Sequence, residues 1–559
     1  MLTPVAFGFL GSMLPAFGYL PALGGDSLSL WPWQKLFADP ALWSASFLAL
    51  WVGLAATGCS LLLTMGFFAA WQGTRSFTIF LRLLSPLLSV PHVTLTFGLA
   101  FLLAPSGWII RLLSPWPSGF QTPPDWLILN DPYGFSLILA LILKEVPFLF
   151  LMGVSALNQI ESQRSLATMR SMGYGPLAAW SKVIFPQIYP QIRLPVFAVL
   201  AFSISVVDVS LIIGPSTPPP LSVLLLRWSQ DPDLEWRFVA AAGGLWQCFL
   251  LIIAIGGWFL GERLVKKIGL LWILCGHRFS SDVILRYSFL LINMVSFLCA
   301  YLGMMAMGVW SIAGYWRFPD ALPERYSLTS WARQLDQIAV PLTNSLWIGL
   351  ASAFIALALS LLWLQETSSC HASPSPQNSG KRQAAKLPFL LYIPLLIPQM
   401  SFLFGVQTFV LFIGWHQTWV TLLWSHLLFV LPYVFLSLSE AYQSFDSRYE
   451  RAALCLGLSP LHVWWRVKLP MLLRPILAAM ALGFAVSIAQ YLPTLLSGGG
   501  RFPTLTTEAV ALASGGNRRV IGIYALLQML LPFLAYMLAL GLPAWLYRHR
   551  RALHTHGGL

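Results

Sequence analysis

The sequence predicts an all-α membrane protein of about twelve transmembrane helices in two parallel six-helix repeats. Three observations predict it. Of the 559 residues 57% are hydrophobic and 9% charged, against roughly 25% charged in an ordinary soluble domain, and the mean hydropathy is +0.72. Apolar runs of about 20 residues, enough to cross ~30 Å of hydrocarbon, recur along the whole chain. A loop pattern of Gly, Pro and Trp returns after 284 residues, which makes the chain a duplicated unit.

The apolar stretches lie at 4–24, 43–70, 83–104, 134–157, 194–214 and 238–261, then at 287–312, 343–365, 388–412, 419–439, 475–497 and 521–546. The first has no Lys or Arg ahead of it and is interrupted by Pro15 and Pro21, so it reads as a first span, with a cleaved signal as the alternative. The third contains Pro91 and the ninth Pro394 and Pro398, which predicts bent or partly re-entrant spans. Residues 1–262 and 287–559 form the two halves, 263–286 a cytoplasmic linker, and Thr367–Lys386 a solvated loop of Ser, Pro, Gln, Asn and Gly.

Charge placement orients these stretches. The loops 71–82, 158–193, 262–286, 366–387, 440–474 and 547–559 hold 22 Lys/Arg and 7 Asp/Glu, and the loops on the other side hold 10 and 11. The first set is therefore cytoplasmic, with both termini on that side. The net charge of +13 thus reports topology; the Arg548–Arg551 tail flanks a last span and is not a nucleic-acid patch. The six cysteines are scattered singly, so neither a disulfide framework nor a metal site is expected. No cofactor is expected either. No loop could house a nucleotide-binding domain, and no Gly-x-x-x-x-Gly-Lys-[Ser/Thr] phosphate loop occurs, so ATP chemistry would belong to another chain.

In the repeat, Gly173, Pro176, Leu177, Trp180, Val183 and Pro186 match Gly457, Pro460, Leu461, Trp464, Val467 and Pro470 without a gap. Both copies lie in the loop between the fourth and fifth stretch of their half, on one side of the membrane, which makes the repeats parallel and not inverted. Each copy predicts helix, turn, helix: the glycine permits the positive φ that ends the first helix, Gly175 or Ser459 stands at the next N-cap, Pro176 or Pro460 at its first position, and Pro186 or Pro470 stops it.

At these residues the chain resembles the permease subunits of bacterial binding-protein-dependent ABC importers, whose signature is Glu-Ala-Ala, three residues, Gly, then Pro thirteen residues on. Glu450-Arg451-Ala452-Ala453 through Gly457 and Pro470 fits with the glutamate displaced by one. Ala167-Thr168-Met169-Arg170-Ser171-Met172-Gly173 keeps the Gly and Pro without Glu-Ala-Ala. Two halves in one polypeptide resemble the fused permeases of ferric-iron and thiamine importers. The resemblance implies a bacterial inner-membrane location and two copies of a cytoplasmic ATPase, each gripping one loop. It implies Arg170, Met172, Gly173 and Pro176 in one coupling segment, and Glu450, Ala452, Ala453, Gly457 and Pro460 in the other. It further implies a solute-binding protein outside, meeting the segments that follow the fifth stretch of each half, 214–222 and 498–506.

Within the bilayer, Asp208 and Gln490 take equivalent places when Phe202 is aligned with Phe484. A charge at depth costs ~2.5–3.5 kcal/mol on insertion scales and should face protein or a water-filled path. The pair is read as lining the pathway, with a local hydrogen bond between spans as the alternative. Lys144 and Glu145, before Pro147, are adjacent and so do not face each other; either faces the pathway, or Lys144 meets a buried partner such as Asp208. His92 and His426 read as structural imidazoles. The rival function is a gradient-driven twelve-span secondary transporter, which would need no paired Gly and Pro loops. An intramembrane enzyme would need convergent catalytic groups that the sequence does not offer.

Overall fold

The computed structural model describes residues 2–276, 278, 282–371, 393–415 and 417–548. Among them regular structure is helical, and the β contacts are two isolated bridges, Leu20–Gly25 and Ala313–Tyr326. Among the described residues nine helices are long and apolar enough to cross a membrane: Pro40–Trp71, His92–Leu112, Phe135–Leu157, Pro176–Ser205, Glu235–Leu274, Val283–Ile312, Thr329–Glu366, Trp419–Gln443 and Arg518–Leu546. The pair Pro460–Met471 and Leu473–Ile488, bent by 73°, passes the same length and composition test when taken together as one broken span. The shorter apolar helices Phe7–Ala16 and Gln399–Leu411 stand in the first and ninth predicted stretches. The all-α membrane architecture holds, and the predicted twelve is approximate: nine or ten crossings by length.

Several boundaries differ from the sequence reading for local reasons. The first helix, Leu2–Ala16, stops short of residue 24 because Gly18 takes φ 82° and Pro21 opens a separate short turn. The third stretch is broken: Arg75–Ser89 ends, Val90 turns extended at ψ 127°, and His92–Leu103 begins after Pro91. A residue before proline is driven from the helical region, so the predicted bend is a complete break. The fifth helix begins at Pro176, not 194. The predicted linker is partly helix, since Glu235–Leu274 runs into its first half and Val283–Ile312 begins within its end. The loop predicted at Thr367–Lys386 begins inside the helix Thr329–His371; its remainder, like the start of the ninth stretch and the tail from 549, lies outside the described residues.

Residues 1–262 and 287–559 are joined by two glycine contacts of the same kind. Gly98 of the third element lies against Gly303 of Val283–Ile312, where a Cβ would come 2.8 Å from the Gly303 carbonyl carbon. Gly405 of the ninth lies against Leu2–Ala16, where a Cβ would collide with the Gly8 carbonyl oxygen. Only glycine lets these backbones touch, the usual device for helix pairs that gain nothing from excluding water. Each of these elements also bonds to a helix distant in sequence: Thr94 Oγ1 donates to Gln528 Oε1 of Arg518–Leu546 at 2.8 Å, and Ser401 Oγ donates to the Gly244 carbonyl of Glu235–Leu274 at 2.7 Å. Away from these contacts, buried Arg111 donates to the Arg317 carbonyl at 2.8 Å and Arg518 to the Ser106 carbonyl at 2.9 Å, joining loops of the two halves.

Candidate coupling segments and membrane pathway

The paired loops fold alike. In the first, Ser162–Ser171 is a helix, Gly173 takes φ 84°, and Pro176–Ala179 leads into a wide π turn at Trp180–Ile184. In the second, Ser447–Cys455 is a helix, Gly457 takes φ 83°, and Pro460–Val463 leads into a π turn at Trp464–Lys468. The π turns coincide at the offset of the sequence repeat. At such φ a side chain costs roughly 1–2 kcal/mol, which is why both turns carry glycine. Gly175 and Ser459 occupy the N-cap positions, although Ser459 Oγ bonds His462 Nδ1 at 2.8 Å instead of capping.

Pro186 does not stop its helix, contrary to expectation. The Phe185 N–H reaches back five residues to the Trp180 carbonyl, and this wider turn seats the proline ring that an ordinary turn would reject. The helix therefore continues from Pro176 to Ser205, 30 residues or roughly 45 Å. In the second half Leu469 makes the same bond to Trp464, but the chain then bends after Met471.

One loop is braced at the end of Pro40–Trp71 and the other at the end of Thr329–Glu366. Trp180 Nε1 donates to Gln72 Oε1 at 2.8 Å, and Gln72 Nε2 to Ser162 Oγ at 2.7 Å. Lys468 Nζ lies 3.1 Å from both Glu450 Oε1 and Gln365 Oε1, above the Tyr442 ring. The first loop is further held by the inter-half connection: the Gly175 N–H donates to the Arg278 carbonyl and the Leu177 N–H to Asp282 Oδ2, each at 2.9 Å.

Arg170, Met172, Gly173, Ala452, Gly457 and Pro460 are exposed and Pro176 half-buried, whereas Ala453 packs inward and Glu450 is committed to Lys468. The second loop also exposes Tyr449, Leu456 at 84%, Leu461 and Trp465 at 57%, beside exposed Arg448 and Arg451. Sequence reasoning missed this apolar face. Its signal was bulky apolar residues within a short, charged, extramembrane stretch, where no core is available to bury them.

The fifth helix of each half breaks inside the apolar region. Ser205 ends one segment and Asp208 starts the next; Ile488 ends the other and Leu492 restarts it. The residues before the restart share one backbone shape, Val207 at φ −105°, ψ −54° and Tyr491 at φ −95°, ψ −63°. Thus Asp208 corresponds to Leu492, and Gln490 to Val206. The equivalence of Asp208 with Gln490 fails because local side-chain similarity shifted the alignment by two residues away from the register the backbone keeps.

Lys144 has no partner in Asp208. Its ammonium donates to the carbonyls of Leu87, Leu88 and Val90 at the broken third stretch, where the Leu87 carbonyl also takes the Val90 N–H at 3.3 Å and lipid offers no donor. Glu145 faces His92, with Oε1 3.7 Å from Nε2, and His92 packs on Phe202 with ring centroids 4.6 Å apart. His426 is structural as expected: Nδ1 lies 2.8 Å from Ser487 Oγ and Nε2 2.9 Å from Thr494 Oγ1. The segments after the breaks hold short helices, Leu221–Ser229 and Leu505–Ala513. Ser222 and Thr506, at their starts, donate to the carbonyls of Val206 and Ile488.

Residues 381–549 match the family described as binding-protein-dependent transport system inner membrane component. The chain is 32% identical over 567 residues to the inner membrane ABC transporter permease protein YnjC of Escherichia coli (strain K12), covering 99% of this chain and 100% of that one. Shorter likenesses are 41% over 71 residues to the molybdenum transport system permease protein ModB of Mycobacterium bovis (13% of this chain, 27% of that one). Another is 30% over 108 residues to the putrescine transport system permease protein PotI of E. coli (18% and 38%). With an apolar helical body and a full-length relative of this kind, the chain belongs to the inner-membrane permease subunits of binding-protein-dependent ABC transporters.

Proposed function

We propose that the two braced loops are the coupling segments of an importer, each docking one of two copies of a cytoplasmic ATPase, and that solute crosses between residues 1–262 and 287–559. The observation that carries this reading is the pair of loops: glycine at positive φ, proline and π turn in the same register, with exposed apolar side chains outside the bilayer. Arg170, Met172, Gly173 and Pro176 would meet one ATPase copy, and Ala452, Gly457 and Pro460 the other, with Glu450 and Ala453 shaping the second segment from within. The helix Pro176–Ser205 joins its coupling turn directly to the break beside Asp208. A tilt imposed at one end then moves the other, the rigid-body coupling that a two-state transporter needs.

Both termini would be cytoplasmic on the distribution of Lys and Arg, and an extracytoplasmic solute-binding protein would deliver solute at the opposite face. The relatives' names mention both molybdenum and putrescine, so the solute is not inherited from the family. The test is co-purification in mild detergent from the native host of wild type, Gly173→Asp, Gly457→Asp and the double variant, with quantitative mass spectrometry. An ATPase at two copies per chain, lost in the double variant, supports the reading. Absence of any ATPase from wild type would overturn it in favour of a gradient-driven transporter.

A further inference from the structure

The two glycine loops are braced by different chemistry. At the offset of the repeat, Glu450 and Lys468 of the second loop correspond to Leu166 and Ile184 of the first. The ion pair of one loop, at 3.1 Å, is thus replaced in the other by two buried aliphatic side chains of one apolar cluster. Apolar burial is non-directional, whereas a charge-assisted hydrogen bond fixes an orientation. The first loop takes its directional contacts from Arg278 and Asp282, which lie between the helices Glu235–Leu274 and Val283–Ile312.

These contacts converge on the first turn of the helix Pro176–Ser205, where the leading N–H groups have no partner inside the helix. The Gly175 N–H donates to the Arg278 carbonyl and the Leu177 N–H to Asp282 Oδ2, each at 2.9 Å. Asp282 stands at the N-cap position of Val283–Ile312, yet its side chain makes no cap bond there. It is 6% exposed and caps the other helix instead, where its carboxylate also meets the positive end of the helix dipole. Lys182 Nζ, in the π turn, lies over the rings of Trp272 and Tyr174, 4.7 and 5.0 Å from their centroids. Gly175 is consequently buried and Leu177 half-buried, whereas their counterparts Ser459 and Leu461 are exposed.

The tips of the loops differ too. The exposed Arg278 guanidinium runs alongside the first turn, so that a Cβ on Gly173 would stand 3.5 Å from its Nη1; at Gly457 a Cβ would meet nothing within 4 Å among the described residues. With Arg170, also exposed, Arg278 gives the first tip a basic character around Met172. A basic tip fits an acidic surface.

Resting on the importer reading, we infer that Asp282 and Arg278 belong to the first coupling segment, Asp282 as the positioning residue that sets the loop and Arg278 as a contact to an acidic group on the ATPase copy docking there. The test places a photoactivatable benzophenone side chain at residue 172 or at its counterpart 456 in the full permease, expressed in the native host. ATPase cross-linked from each position is measured in wild type, Arg278→Glu, Arg278→Lys and Asp282→Ala.

Arg278→Glu and Asp282→Ala should each lower cross-linking from residue 172 about fivefold or more, and leave that from residue 456 within about twofold, while Arg278→Lys keeps both. Cross-linking from 172 within about twofold of wild type in Arg278→Glu or Asp282→Ala overturns the inference and leaves the importer reading standing. So does an equal fall at both positions, or a loss in Arg278→Lys as deep as in Arg278→Glu. A wild type that yields no ATPase from either position removes both.

Discussion

Lys468 Nζ sits 3.1 Å from Glu450 Oε1 across the second loop, with the lysine side chain 3% exposed and the glutamate 27%. The glutamate of the recognisable motif is therefore engaged inside its own segment, and the same ammonium reaches Gln365. On the docking proposed above, the signature residue would shape the segment from within while exposed side chains make the contact.

Breaking this pair tests that division. Lys468→Met leaves Glu450 and Gln365 without their donor, and Glu450→Gln leaves a nearly buried ammonium short of its counter-charge. Each is expected to destabilise the permease by about 2–4 kcal/mol, and the double variant by clearly less than the sum of the two. Thermal unfolding of the purified protein in detergent reads both quantities.

The exposed apolar face predicts the opposite pattern. Leu456→Asp and Trp465→Asp alter side chains that the permease scarcely buries, so unfolding should shift by less than about 0.5 kcal/mol. ATPase capture should nevertheless fall about tenfold or more, as for a central apolar anchor at an interface. Unchanged capture in both variants would remove this face from the docking surface.

Lys144→Met should destabilise the protein by about 2–4 kcal/mol because carbonyls in the apolar region lose their donor. Adding Asp208→Asn should neither rescue nor deepen this loss beyond additivity, since the two side chains do not pair. A strong coupling energy in the double-variant cycle would restore the ion-pair reading that the geometry rejects.

Gly98→Val and Gly405→Val place a side chain where another backbone already lies, at Gly303 and Gly8. Each should lower the yield of folded permease and cost about 1–3 kcal/mol or more. Gly457→Ala, where nothing stands within 4 Å, should cost only the strain of a positive φ, roughly 1 kcal/mol. Size-exclusion profiles and unfolding temperatures in detergent separate the two classes.

The sequence by itself determined the all-α membrane character, the rough place of each apolar element, the paired Gly and Pro loops and the family, because composition, hydropathy and a gapless repeat are properties of residue order. The break at Pro91 was foreshadowed by the proline. Only the tertiary structure decided what each polar side chain does. Lys144 turned from a pathway residue into the donor for a broken helix, Asp208 lost its presumed equivalence with Gln490, and Glu450 turned inward. The glycine contacts between residues 1–262 and 287–559 and the tolerance of the π turn for Pro186 were likewise hidden. These outcomes depend on which backbone groups are left unpaired when distant helices meet, and that is fixed by three-dimensional packing, which no local pattern of residues contains.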